Sequence, residues 1–386
     1  MIPRTLTTKL KQASEKFPIV AVLGPRQSGK STLVKMAFPE HRYISLEDLD
    51  IRQMAEQDPR GFLQQTGKKV ILDEVQCVPS LFSYLQGIVD ERGVNGEFIL
   101  TGSQNFLLME KITQTLAGRI CLMTLLPFSI SELASVSLLP KIPEQLIYNG
   151  GFPRLYAQNL TPEEWLPSYI TTYMERDIHD LLKVRELSTF RTFLQVCAGR
   201  VGQLVNLSSL GNDCGVSYNT IRSWLSILEA SYVIFQLHPH HQNFNKRLVK
   251  MPKFYFYDTG VVCKLLGIHS PEEVAKSYLK GALFENMVVA DFYKQLCHQQ
   301  KQPRLYFWRN KTGHEIDVIY DKGDQLIPFE IKSGATFQDD FLKTLNYWNK
   351  LYGQPTESHL IMGGDLNMDY KGCHIRSWKS IGNLLT

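Results

Sequence analysis

Residues 24–31 read Gly-Pro-Arg-Gln-Ser-Gly-Lys-Ser, a G-x-x-x-x-G-K-S loop between an apolar run, Pro18-Ile-Val-Ala-Val-Leu23, and a helix-like segment, Leu33-Val-Lys-Met-Ala-Phe38. A short, wholly apolar run suits a strand buried on both faces of a parallel sheet, so strand, loop and helix together call for an α/β fold. The glycines let the backbone curl until its N–H groups point inward, and the following helix start adds a favourable dipole for anions. That geometry suits phosphate. Gly24, Pro25, Arg26, Gln27, Ser28, Gly29 and Thr32 are the expected cradle, with Lys30 reaching the β- and γ-phosphates and the Ser31 hydroxyl ligating Mg²⁺. The expected cofactors are ATP and Mg²⁺.

Nucleoside triphosphate hydrolysis also needs a carboxylate for the metal and one to activate water. Lys-Lys-Val70-Ile-Leu72-Asp73-Glu74 supplies both at the carboxyl end of an apolar strand, where ligands sit in open α/β sheets. Asp73 is expected to hold Mg²⁺ through water, and Glu74 to polarise the attacking water. The next apolar run, Phe98-Ile-Leu100, ends in Thr101-Gly-Ser103-Gln-Asn105. Ser103 and Asn105 are candidates for sensing the γ-phosphate or placing the water, the alternative being a turn that caps the next helix. Arg119, in Leu-Ala-Gly-Arg-Ile at the end of a helical stretch, is a candidate for stabilising phosphoryl charge in a neighbouring subunit, or else an ordinary surface charge.

The order of P-loop, acidic pair, Thr-Gly-Ser strand end and Leu-Ala-Gly-Arg continues with Pro127-Phe-Ser-Ile-Ser-Glu-Leu133 and Gly150-Gly-Phe-Pro-Arg-Leu-Tyr156. It resembles the large group of prokaryotic AAA-type ATPases that carry an uncharacterised C-terminal domain, and the likeness runs over essentially the whole chain. The resemblance implies ATP turnover, and likeness to lid positions implies that Arg154 touches the nucleotide.

With 386 residues the chain is too long for one ordinary core. Four regions are expected: a P-loop AAA-type core over 1–130, a helical lid over 131–190, a winged-helix-like module over 191–255, and a small α/β domain over 256–386. The lid rests on helical spacing from Trp165 to Lys183. In the module, a short helix, a turn at Cys214-Gly215 and a helix capped by Ser217 precede a β-rich run. Its exposed face, with Ser217, Tyr218, Asn219, Thr220 and Arg222, suits either a major groove or a protein contact. Lys246, Arg247, Lys250 and Lys253 add basic charge in the expected loop that follows.

In the last region a helix carrying Glu285 precedes two strand-like alternations around Lys322-Gly-Asp324. Asp317 falls on the first; Glu330 and Lys332 fall on the second and face the same way because side chains alternate. This resembles the restriction-endonuclease-like PD-(D/E)xK core. The resemblance implies Glu285, Asp317 and Glu330 as metal ligands and Lys332 orienting the nucleophile; such cores also serve for binding alone.

Composition narrows the setting. A net charge of +4 neither requires nor excludes nucleic acid, and seven scattered cysteines without a close pair fit reduced thiols in the cytoplasm. The first residues read as an amphipathic helix, and Ile120–Leu133 is broken by Pro127, so no membrane segment is expected. The expectation is therefore a cytoplasmic, homo-oligomeric Mg²⁺-dependent ATPase that binds or processes nucleic acid. The alternative is an ATP-switched protein-interaction or regulatory module with a non-cleaving C-terminal domain.

Overall fold

The computed structural model describes residues 2–103, 115–177, 187–240, 251–310, 312–353 and 356–385. They form two compact units, one of residues 1–128 with the short pieces 230–232 and 297–301, the other of 129–229, 233–296 and 302–386.

The first unit is built on a five-stranded sheet of β1 (Ile19–Leu23), β2 (Arg42–Ser45), β3 (Val70–Asp73), β4 (Phe98–Gly102) and β5 (Ile120–Thr124), in the order β2-β3-β4-β1-β5. Every pairing is parallel. β1, β3 and β4 are buried at every position, which explains why they read as unbroken apolar runs rather than alternating ones. Helices α1 (Leu6–Ser14), α2 (Lys30–Ala37), α3 (Leu49–Gln57), α4 (Pro59–Thr66) and α5 (Leu81–Arg92) belong to this unit. On α1 the buried residues are Leu6, Leu10 and Ala13, the one-sided stripe expected of the amphipathic N-terminus. α4 starts where its sequence says it should: Asp58 accepts from the Gly61 N–H at 2.9 Å and Pro59 takes the first turn. Two apolar layers cover the sheet, one centred on Leu72, Leu85 and Leu100, the other on Val20, Leu33 and Ile99.

The second unit begins with helices that include α6 (Pro143–Asn149), α7 (Pro153–Ala157) and α8 (Pro162–Tyr169). α8 continues through wider, π-type turns over Ile170–Asp177, and the rest of the expected lid helix, to Lys183, lies outside the described residues. Next come α9 (Leu187–Gly199), α10 (Leu207–Cys214) and α11 (Tyr218–Ala230). Gly215 caps α10 with φ 68°, and the Ser217 hydroxyl accepts from the Thr220 N–H at 3.1 Å, as the sequence predicts for that turn.

An eight-stranded sheet then takes in β6 (Ile234–Pro239), β7 (Lys253–Phe256), β8 (Leu305–Arg309), β9 (Glu315–Asp321), β10 (Leu326–Lys332), β11 (Ser358–Met362), β12 (Met368–Tyr370) and β13 (Cys373–Ser377), in the order β12-β13-β11-β10-β9-β8-β6-β7. The strands after α11 thus belong to the same sheet as those that carry Asp317 and Glu330: β6 runs parallel to β8, pairing His238 with Tyr306. Helix α12 (Lys280–His298) carries Glu285, and α13 (Lys343–Tyr352) adds Leu345 and Trp348 to an apolar cluster with Ile316, Ile319 and Ile375.

Candidate functional sites

β1 ends at Leu23 and the loop turns at once. Gly24 has φ 151°, and a Cβ there would stand 2.1 Å from the Leu125 carbonyl oxygen, so glycine is the only residue that fits. Gly29, at φ 91°, lets the chain enter α2. Arg4 holds the loop from behind: its guanidinium donates to the Ser28 carbonyl at 2.9 Å and to that of Leu126 at 2.5 Å. Pro25 and Ser28 are buried, whereas Arg26, Gln27 and Thr32 are exposed.

Lys30 is only 4% exposed, and its ammonium donates to the carbonyls of Gly24 (3.1 Å) and Pro25 (2.9 Å). Burial lowers its pKa, while Glu74 and Asp73 act in the opposite sense. The Ser31 hydroxyl lies 3.0 and 2.9 Å from the two carboxylate oxygens of Asp73. β3 reaches this point because Leu72 stands opposite Leu100 on β4 and Asp73 opposite Ser45 on β2. Asp73 therefore also accepts from the Thr101 hydroxyl and, at 2.5 Å, from the Tyr43 hydroxyl.

Glu74 sits just past β3 with φ 57°, a left-handed conformation that costs a non-glycine residue about 1–3 kcal/mol. Its carboxylate accepts from the Gln76 side-chain amide and, at 3.4 Å, from the Ser103 N–H. The same Gln76 amide donates to the Ser103 hydroxyl at 3.0 Å. β4 lies between β1 and β3, so its end falls between loop and acidic pair as the sequence predicts.

These residues fit a magnesium nucleotide. A hydroxyl and a carboxylate, both hard oxygen donors, stand side by side next to the loop that buries the Lys30 ammonium, and among the described residues the buried Ser28 hydroxyl has no hydrogen-bond partner. Asn105 lies outside the described residues. Arg119 stands in the turn before β5 and forms a two-pronged pair with Asp90, at 2.5 and 2.8 Å. Arg154 belongs to the second unit, exposed on α7, with its Nε donating to Gln158 at 3.2 Å. The Gly150-Gly-Phe-Pro-Arg stretch has a packing reason. Gly150, at φ 67°, would place a Cβ 2.2 Å from a carboxylate oxygen of the buried Asp258, and the Gly151 N–H donates to the same carboxylate at 2.7 Å.

In the second unit the structure brings Glu285, Asp317, Glu330 and Lys332 together. Asp317 accepts from the Ile331 N–H at 2.8 Å, and Lys332 reaches Glu330 at 2.5 Å. Burial, then Glu330 and Glu285, push the Asp317 carboxyl well above its usual range. Burial also raises Glu330, against the pull of Lys332, and among the described residues its second, buried oxygen has no hydrogen-bond partner. Three further residues join that the sequence reading does not assign to this site. Lys253, expected on a basic loop, is instead 4% exposed at the start of β7, where it pairs with Glu285 (3.2 Å) and Glu315. Tyr255 donates its hydroxyl to Glu285 at 2.5 Å. Glu315 alone carries a signal, since it lies two residues before Asp317 on one strand. Lys246, Arg247 and Lys250 lie outside the described residues.

Burial works against the charge on Lys253, yet Glu285, Asp317 and Glu315 together raise its pKa above the usual lysine value. Among the described residues, no three His, Cys, Asp or Glu side chains are arranged to hold a metal ion. Two lysines, Lys253 and Lys332, pair with the carboxylates of this cluster.

A P-loop, an acidic pair and a parallel sheet define a P-loop ATPase of the AAA type, and residues 16–134 match the AAA domain. Residues 141–272 and 280–380 match two domains of unknown function, DUF8612 and DUF4143. The chain is 30% identical over 338 residues to uncharacterised proteins of Mycobacterium bovis and Mycobacterium tuberculosis, covering 86% of this chain and 74% of each relative. It belongs to their family, and its own residues 16–134 form the AAA domain. An uncharacterised Haemophilus influenzae protein is 23% identical over 371 residues, 86% of this chain and 88% of that one. Among solved structures, a Walker-type ATPase of Pyrococcus abyssi is similar at TM-score 0.45 and 17% identity, over 68% of this chain and 95% of that chain. No helix among the described residues is long and apolar enough to cross a membrane.

Proposed function

We propose that this protein hydrolyses ATP with Mg²⁺ in the cytoplasm, as a homo-oligomer, and couples hydrolysis to binding or processing nucleic acid. The observation that carries hydrolysis is the contact of Ser31 with both oxygens of Asp73, beside the constrained Glu74. Gly24 to Thr32 wrap the phosphates; Lys30 exchanges its two loop carbonyls for β- and γ-phosphate oxygens. Ser31 would ligate Mg²⁺ and Asp73 would hold it through water, and the ion would supply charge neutralisation of the phosphates. Glu74 orients the attacking water and accepts its proton, and Ser103, tied to Glu74 through Gln76, reports the state of the γ-phosphate. Asn105 assists there, Arg154 touches the nucleotide, and Arg119 leaves Asp90 to serve the site of a second copy.

Nucleic-acid work rests on the convergence of Glu285, Asp317, Glu330 and Lys332. One observation favours the second reading, an ATP-switched protein-interaction module: Lys253 already lies among these carboxylates.

The experiment is ATP turnover with and without DNA, RNA and Mg²⁺, with a nuclease assay alongside. Glu74→Gln should bind ATP without turning it over, and normal turnover in that variant removes the role given to Glu74. Nicking in Mg²⁺ or Mn²⁺ that Asp317→Ala abolishes, at unchanged ATPase rate, assigns cleavage to the cluster. Absence of cleavage, with weaker and less salt-dependent nucleic-acid binding in Lys332→Ala, assigns binding alone. Failure of both leaves the protein-interaction reading.

A further inference from the structure

We infer that Tyr43 is a positioning residue for the nucleotide-bound metal: its hydroxyl fixes the Asp73 carboxylate in the orientation that meets Mg²⁺. The inference rests on the ATPase reading above and concerns a residue outside the loop and the acidic pair.

Strand register sets where Tyr43 can reach. β2 lies beside β3 in parallel, with Tyr43 opposite Ile71 and Ser45 opposite Asp73. Side chains two apart on a strand share a face, so Tyr43 lies on the face of Ser45 one repeat back, about 6–7 Å short of Asp73 along the strand. A serine or threonine at position 43 would fall short, whereas the long phenol reaches, and its hydroxyl donates to Asp73 Oδ2 at 2.5 Å. The ring is itself held. The Lys35 ammonium, from α2, sits 3.4 Å from its centroid, close enough for a cation–π contact. One end of Tyr43 is thus pinned by the helix that begins with Lys30 and Ser31, and the other grips Asp73.

The remaining contacts on Asp73 show why this grip matters. Thr101 donates to Oδ1, and Ser31 is within reach of both oxygens. With its oxygen lone pair given to Mg²⁺, Ser31 would keep its O–H and could donate it to one Asp73 oxygen only. Tyr43 and Thr101, which donate to opposite carboxylate oxygens, are the groups that would stop the carboxylate rotating about its last bond. Groups that orient a metal-holding carboxylate in this way typically change metal affinity by about 10–100-fold when removed.

The test is Tyr43→Phe, which deletes one oxygen and keeps the ring and its contact with Lys35. Binding of a fluorescent ADP is measured in EDTA and across a Mg²⁺ titration, with thermal melting and ATP turnover in parallel. The expected result is unchanged affinity in EDTA and a Mg²⁺ midpoint raised by about 10-fold, with turnover recovered at high Mg²⁺. Lys35→Met, which frees the ring but spares the hydroxyl, should move the midpoint in the same direction by less. An unmoved Mg²⁺ midpoint in Tyr43→Phe overturns the inference, as does an equal loss of ADP affinity with and without Mg²⁺, which marks a purely structural role. A wild-type chain whose nucleotide binding ignores Mg²⁺ overturns the metal reading itself, a result distinct from either.

Discussion

Replacing Lys30 by methionine separates what the lysine does for the fold from what it does for nucleotide. In the structure the side chain is 4% exposed and its charge rests on two carbonyl bonds of 3.1 and 2.9 Å. Hydrogen bonds to a charged group contribute about 1.5–3 kcal/mol each. Removing them is offset by relief of the several kcal/mol that burying an ammonium costs, an opposition also visible in the lowered pKa of Lys30. Methionine has similar length and no charge, so the nucleotide-free variant should melt within about 4 °C of wild type. Nucleotide changes the comparison. At a concentration about 100 times its Kd, a ligand that binds only the folded state adds about 2.7 kcal/mol. At about 2–4 °C per kcal/mol that raises the wild-type Tm by about 5–10 °C. Lys30→Met, lacking the phosphate contact, should show almost none of this shift. The assay is thermal melting with and without a non-hydrolysable ATP analogue and Mg²⁺. An undiminished shift in the variant refutes the phosphate role; collapse of the nucleotide-free variant refutes the balance of terms.

Gly24→Ala should abolish nucleotide binding and lower Tm, because its Cβ would meet the Leu125 carbonyl oxygen at 2.1 Å; a soluble variant with normal ATP affinity, measured by equilibrium binding, rejects this. Asp317→Asn should stabilise the protein, and more so at pH 8 than at pH 5. The folded-state pKa of Asp317 is raised, so its favourable contribution is present below the unfolded carboxyl pKa and is lost as pH rises through the folded one, a loss the amide escapes. Melting curves at both pH values check the sign. Arg119→Ala should lower turnover without moving Tm, and mixing it with Glu74→Gln should restore part of the rate if copies share sites. A normal rate in the single variant would leave Arg119 as the surface partner of Asp90.

Features whose signals are local can be read along the chain. The loop from Gly24 to Ser31 is legible because its glycines, lysine and serine must occur at fixed spacing on one turn of backbone. Asp73-Glu74 is legible because an apolar strand ends there, and Glu330 with Lys332 because alternate residues on a strand share a face. Tertiary structure alone decided which distant side chains complete these sites. Tyr43 and Thr101 reach Asp73 only once β2, β3 and β4 lie in parallel register, and Arg4 braces the loop only after α1 packs. Lys253 appears in sequence as one more basic residue after α11. It becomes a buried partner of Glu285 and Glu315 because β6 and β7 join the sheet that carries β8, β9 and β10. Pattern along a chain reports which face a residue takes and which neighbours lie within a few positions. It does not report strand order or register, because those are fixed by the packing of whole elements, and the charge balance of both sites depends on them.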